Sequence, residues 1–148
     1  MNDPLSAIDR SRAYAGDVTP AAAFAALAED EESALVDCRT QPEWHFVGTP
    51  DLTPLAKSPL LLEWLDYPDG KVDAEFVDRL IEKGVPRHAP VFFLCRSGVR
   101  SIAAAEAATR ADYESAYNIL EGFEGPIGPE GARNISGWKV AGLPWRQS

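Results

Sequence analysis

Cys95 stands between an apolar run, Val91-Phe92-Phe93-Leu94, and a run of small residues at 102–108, with Arg96-Ser97-Gly98-Val99-Arg100-Ser101 directly after it. The apolar run has the length of a buried strand, and the small-residue run that of a helix. A cysteine at this junction sits where a strand gives way to a tight loop entering a helix. The backbone N–H groups of such a loop lack carbonyl partners and can converge on one point. The helix dipole behind them favours an anion there. The expected chemistry is that of a reactive thiolate. Arg96 and Arg100 add two positive charges at the rim.

The elements that must position this loop are readable from pattern. Thr19-Pro20 is a helix start, with Thr as N-cap and Pro in the first turn. Phe24, Leu27 and Ala28 then form the apolar stripe. Residues 13–15 read as a short edge strand and 34–38 as a buried one. Residues 41–46 read as a short helix and 48–59 as an irregular connection. Another strand is expected at 60–64. Asp73 is expected to cap a helix carrying Phe76, Val77, Leu80 and Ile81 on one face, with Gly84 as its stop. The strand at 91–94, the helix at 99–110 and a last strand at 115–120 complete the series. From Gly122 onward the chain is rich in Gly and Pro and reads as loop, with Trp138 and Trp145 as packing residues. Strands alternate with helices, and most strands are continuous apolar runs. That implies an α/β fold with a mostly parallel sheet covered on both faces. Ligands bind such sheets at the carboxyl ends of strands, where Cys95 is expected.

The bulk properties narrow the classes. The chain has 148 residues, enough for one domain with a core, assigned to 13–148 behind a tail at 1–12. Its net charge is −9, which argues against a nucleic-acid-binding face and leaves anionic substrates to local arginines. The two cysteines, Cys38 and Cys95, have no metal-type spacing with His45 or His88, so no metal site is expected and a reducing compartment fits. No run is long enough to span a membrane. Residues 1–12 are polar and mixed in charge, unlike a signal peptide, so the expected location is cytoplasmic.

These residues together resemble a single-domain rhodanese, a sulfurtransferase. The matching pieces are Asp37-Cys38-Arg39 with Glu43-Trp44, the loop from Cys95 to Ser101, Asn118-Ile119-Leu120-Glu121-Gly122, and Gly137-Trp138-Lys139-Val140-Ala141-Gly142-Leu143-Pro144. The resemblance implies a three-layer fold with a five-stranded parallel sheet and helices on both faces. It implies Cys95 as nucleophile, taking a sulfane sulfur from a small anionic donor such as thiosulfate and passing it to cyanide or a thiol. The amides of Arg96, Ser97, Gly98, Val99, Arg100 and Ser101 would cradle the persulfide, and Gly98 would let the backbone turn inward. Arg96 and Arg100 would orient the donor. No metal or organic cofactor is implied. Three segments depart from the family pattern: Gly48-Thr49-Pro50-Asp51-Leu52, the extension of 60–64 into Leu65-Asp66-Tyr67, and the expanded Gly/Pro-rich stretch at 126–136. The second of these brings Trp64 and Tyr67 forward as an aromatic pocket rim.

Other readings compete. Cys38 is expected to be a buried structural thiol, with the alternative that it resolves Cys95. Asp37 and Arg39 are expected to tie the sheet to neighbouring loops by ion pairs, with Arg39 and Glu43 as a local pair. Arg100 either orients the donor or braces the loop against a carboxylate. A phosphatase or arsenate reductase would hold five residues between Cys and Arg. Here there are four, and Ser101 occupies the sixth step. A persulfide carrier or regulatory module serving a partner protein is the remaining alternative.

Overall fold

Four consecutive buried residues make β5 (Val91–Leu94), and this strand organises the molecule. In the computed structural model, which describes residues 13–147, β5 is the middle strand of a five-stranded sheet. The other strands are β1 (Gly16–Val18), β2 (Ala34–Asp37), β4 (Leu60–Leu61) and β6 (Ala116–Ile119), in the order β1-β6-β5-β2-β4. All four pairings are parallel. A small antiparallel ribbon joins β3 (Thr49–Pro50) to β7 (Trp145–Arg146).

Alternation along the strands divides the core into two layers. Leu35, Phe92, Leu94, Tyr117 and Ile119 face α1 (Pro20–Glu29), meeting Ala23, Ala26 and Leu27, and Phe123 and Trp138 close the same layer. Val36, Val91, Phe93 and Ala116 face α3 (Phe76–Glu82) and α4 (Arg100–Arg110), meeting Phe76, Leu80, Ala104, Ala105 and Ala108. A fully buried Phe contributes about 2 kcal/mol. The alanines of α4 suit both the helix and a close approach to the sheet. A short helix, α2 (Gln41–Phe46), follows β2 and opens with a capping box between Thr40 and Glu43.

The Thr19 cap forms as expected, its side chain accepting from the Ala22 N–H. Several expectations are corrected. The edge strand is Gly16–Val18, not 13–15, because Gly16, Asp17 and Val18 are the residues that reach register with β6. Ala28 and Ile81 are exposed, and Ala23 and Ala26 carry the inner face of α1 instead. The strand expected at 60–64 pairs over only two residues before the chain turns away. Residues 48–59 are not wholly irregular: they contain β3 and a 3-10 turn at Thr53–Leu55. Asp73 accepts from the Glu75 N–H one turn ahead of α3 rather than at its cap. Gly84 stops α3 with φ 81°. The tail expected at 1–12 lies outside the described residues.

Candidate functional site

β5 ends in the sheet centre, and Cys95 follows at once, almost wholly buried. The loop then folds back under it. The Gly98 N–H donates to Cys95 Sγ at 3.1 Å, and Ser101 Oγ lies 3.1 Å from the same sulfur. Ser101 is in the first turn of α4, and helical side chains lean toward the N-terminus. That lean brings its hydroxyl to the sulfur. Gly98 has φ 99°, a conformation L side chains rarely adopt, and a Cβ there would stand 3.1 Å from the Glu121 nitrogen. The backbone N–H aimed at the sulfur accommodates negative charge there, and the Ser101 hydroxyl is its second polar neighbour.

The loop is held from behind by the segment after β6. Phe123 donates its N–H to Cys95 O at 2.8 Å, and Glu124 and Gly125 donate to Arg96 O at 3.0 and 3.1 Å. Gly122 makes this approach possible. A Cβ on it would meet Cys95 O at 2.2 Å. The 126–136 segment is tied to the same support, since Arg133 Nη1 donates to Gly125 O at 2.6 Å.

Arg100 grips Glu43 with two parallel hydrogen bonds, Nη1 to Oε1 at 2.8 Å and Nη2 to Oε2 at 2.9 Å. Partial burial pulls the Arg100 value down and the Glu43 value up. The pairing outweighs both effects, holding Arg100 above its ordinary value and Glu43 below. The bracing role of Arg100 is thus the one its geometry displays. Glu43 is not the partner of Arg39. Arg39, fully buried, pairs with Asp37 at 2.9 and 2.7 Å, donates to Gly48 O at 2.7 Å and lies 4.3 Å from the Phe123 ring centroid. It ties the end of β2 to the chain around the loop. The local Arg39–Glu43 pair is corrected accordingly: a buried guanidinium takes the carboxylate inside its own layer, and Glu43 is carried on α2 toward α4.

Arg96 and Val99 are exposed at the loop tip. Trp64 is half-buried and meets Phe76 edge-on at 5.1 Å, in the same core layer as Cys38 and Cys95. Tyr67 is exposed beside the turn that contains Gly70. A cavity of about 510 Å³ is lined by Gln41, Trp44, His45, Thr49, Leu61, Arg146 and Gln147, so its aromatic wall is Trp44. Cys38 continues the register of β2 with β5, its N–H donating to Leu94 O at 2.8 Å, which sets it opposite Cys95. Its own thiol donates to Leu94 O at 3.2 Å. Burial, then the neighbouring Cys95 and Asp37, push the Cys38 thiol well up from its ordinary value. Among the described residues no group of three or more His, Cys, Asp or Glu side chains is placed to hold a metal, and no helix is long and apolar enough to cross a membrane.

Two residues of the Asn118–Gly122 piece have site roles that the sequence did not assign. Gly122 carries no local signal of its close approach. Asn118 has one: it is a polar residue inside the apolar strand Ala116–Ile119, and a buried polar group must find partners.

The sequence model of the STR4 middle domain matches residues 15–148. The crystal structure of Rv0390 from M. tuberculosis superposes with a TM-score of 0.85 at 48% identity, covering 91% of this chain and 99% of that one. A Rickettsia rickettsii protein, an uncharacterized RP600 homologue, is 38% identical over 84% of this chain and 91% of its own length. The chloroplastic rhodanese-like domain-containing protein 4 of Arabidopsis thaliana is 27% identical over 83% of this chain, which spans 24% of that protein. The polysulfide-sulfur transferase homodimer of Wolinella succinogenes shares the fold, with a TM-score of 0.62 at 19% identity over 89% of this chain and 78% of that one.

Proposed function

We propose that this chain, which belongs to the STR4 middle-domain family, moves sulfane sulfur through a persulfide on Cys95. The observation that carries the reading is the sulfur cradle. Cys95 Sγ receives the Gly98 N–H at the end of the central strand, inside a loop braced by Arg100 against Glu43. The rhodanese-like relative and the shared fold of a polysulfide-sulfur transferase support a sulfur-transfer module.

In the first half-reaction the Cys95 thiolate attacks the outer sulfur of a donor such as thiosulfate. The donor S–S bond breaks, and its electron pair leaves with sulfite. In the second, cyanide or a thiolate attacks the outer sulfur of the persulfide, and the Cys95 thiolate departs. Each bond formed replaces one broken, so no redox cofactor is needed for the cycle. Arg96, exposed at the loop tip, would meet the donor, and Trp64 and Tyr67 would form an outer rim. The amides of Ser97, Val99 and Arg100 would complete the cradle with Gly98 around a persulfide, with Ser101 beside it. A reducing, cytoplasmic setting suits the free thiols.

The four-residue spacing from Cys95 to Arg100 favours one sulfur atom over a tetrahedral oxyanion, which lowers the phosphatase and arsenate reductase readings. A persulfide carrier exchanging with a protein partner has one observation in its favour. Val99 presents a largely exposed apolar side chain beside the nucleophile. Intact mass after thiosulfate, with and without later cyanide, tests the proposal. One added sulfur on Cys95 that cyanide removes is the expected result. No added sulfur on folded, reduced protein overturns the thiosulfate reading. Sulfur accepted only from a protein persulfide would select the carrier.

A further inference from the structure

A single line of hydrogen bonds runs from the Cys95 sulfur to the edge of the sheet. Ser101 Oγ lies 3.1 Å from Cys95 Sγ and donates its hydrogen to Asn118 Oδ1 at 2.5 Å. Asn118 Nδ2 donates to Asp17 Oδ1 at 3.0 Å, and the Tyr14 hydroxyl donates to that same oxygen at 2.8 Å. Ser101 and Asn118 are buried, whereas Asp17 is exposed on β1.

The direction of every bond follows from the far end. A carboxylate has only acceptors, so Asp17 obliges Asn118 to turn its NH₂ outward. The Asn118 carbonyl oxygen then faces Ser101 and takes its one hydroxyl hydrogen. Ser101 Oγ has only lone pairs left for the sulfur and accepts the S–H of the Cys95 thiol. When Cys95 loses its proton, Ser101 must swing its hydrogen to the sulfur. That movement strips a buried Asn118 oxygen of its donor, which is unfavourable. A persulfidated Sγ has no hydrogen either and asks for the same swing.

We infer that Asp17 and Asn118 are positioning residues that govern the ionisation of Cys95 through the hydroxyl of Ser101. The inference rests on the reading of Cys95 as nucleophile. It makes the resting thiol the favoured partner of the relay and couples the edge strand to the reactivity of the central one. Other charged or titratable groups facing Cys95 are Cys38 at the end of β2 and Arg100 on α4, with Glu43 of α2 beyond Arg100. None of these belongs to the relay.

The test follows the thiolate by its ultraviolet absorbance against pH, each variant being read as a difference from its own Cys95→Ser form. This readout requires neither sulfur transfer nor access of a reagent, so it succeeds or fails independently of the proposed activity. In Asp17→Ala the Asn118 amide is free to turn over, letting Ser101 donate to the sulfur. The titration midpoint is expected to fall by about half a pH unit to one unit, the worth of one neutral hydrogen bond. Asn118→Ala is expected to lower it as well, and adding Asp17→Ala to that variant is expected to change nothing more. An unmoved midpoint in Asp17→Ala overturns the relay. An equal shift in both backgrounds overturns it too, since that marks a through-space charge. Should Asn118→Ala fail to fold, salt decides with Asp17→Ala alone. A shift that disappears at high ionic strength is surface electrostatics and overturns the inference, whereas one that persists supports the relay.

Discussion

Cys38 and Cys95 stand opposite one another at the ends of neighbouring parallel strands, in the same apolar layer, and both are buried. What each sulfur faces separates them. Cys38 Sγ meets a carbonyl, Leu94 O at 3.2 Å, which needs the thiol proton. Cys95 Sγ meets an N–H, from Gly98 at 3.1 Å, which suits a sulfur without one. The backbone accounts for this contrast. At Cys38 the backbone carbonyl is taken by a neighbouring segment, with the Trp64 N–H donating to Cys38 O. Past Cys95 the chain turns and brings the Gly98 amide back to the sulfur. Burial alone does not make a thiol inert or reactive; the polarity of the nearest backbone group does.

The sharpest attempt to break this contrast is to exchange the sulfurs for oxygen. Cys95→Ser is expected to abolish sulfur loading, and Cys38→Ser to retain it, both read by intact mass with thiosulfate. Loading found on Cys38 would overturn the distinction. The next largest effect is expected from Gly122→Ala. Its Cβ would meet Cys95 O at 2.2 Å, and its φ of 59° disfavours a side chain. A loss of about 3 kcal/mol is expected in denaturant unfolding, with sulfur loading lost in step. A neutral result would mean that the 122–125 segment does not hold the loop.

Breaking the brace should act on the Cys95 end alone. Glu43→Gln leaves Arg100 without its carboxylate and is expected to cost about 2 kcal/mol, less than a fully buried pair because both side chains keep some contact with water. The pH dependence has a definite sign. Glu43 is held below the ordinary glutamate value of 4.5, so the stabilisation by the pair is complete above that value. It is lost as pH falls through the lowered value. The stability difference between the native protein and Glu43→Gln should therefore shrink in acid; a constant difference would refute the ion pair as its source. The smallest effect is expected at Glu121, a side-chain-bearing residue held at φ 63° next to Gly98. Glu121→Gly should gain up to about 1 kcal/mol by relieving that conformation, measured as a higher unfolding midpoint. A loss would show that the Glu121 side chain anchors the turn.

Much of this was legible residue by residue. The apolar run at 91–94, the small residues of α4 and the Thr19-Pro20 start each carry a local signal, and each element formed where that signal stood. The edges were harder. Gly16 and Asp17 are poor strand formers and gave no pattern, yet they pair with Tyr117 and Asn118 because β6 offers its free edge. Residues 62–64 have strand composition but lie beyond the last paired residue of β4.

The sequence by itself determined the loop: a cysteine after a buried strand, Gly98 at the turn, and a serine and an arginine entering a helix. Those relations are local, spanning fewer than ten residues, and backbone sterics and helix geometry set them. Only the tertiary structure decided the partners. Arg100 finds Glu43 across 57 positions and Ser101 finds Asn118 across 17. Asn118 in turn finds Asp17 across 101 positions, and Gly122 closes on Cys95. Such choices depend on strand order, on the packing of α4 against the sheet and on where α2 leaves β2, which bring distant residues to hydrogen-bonding distance. No spacing along the chain records them.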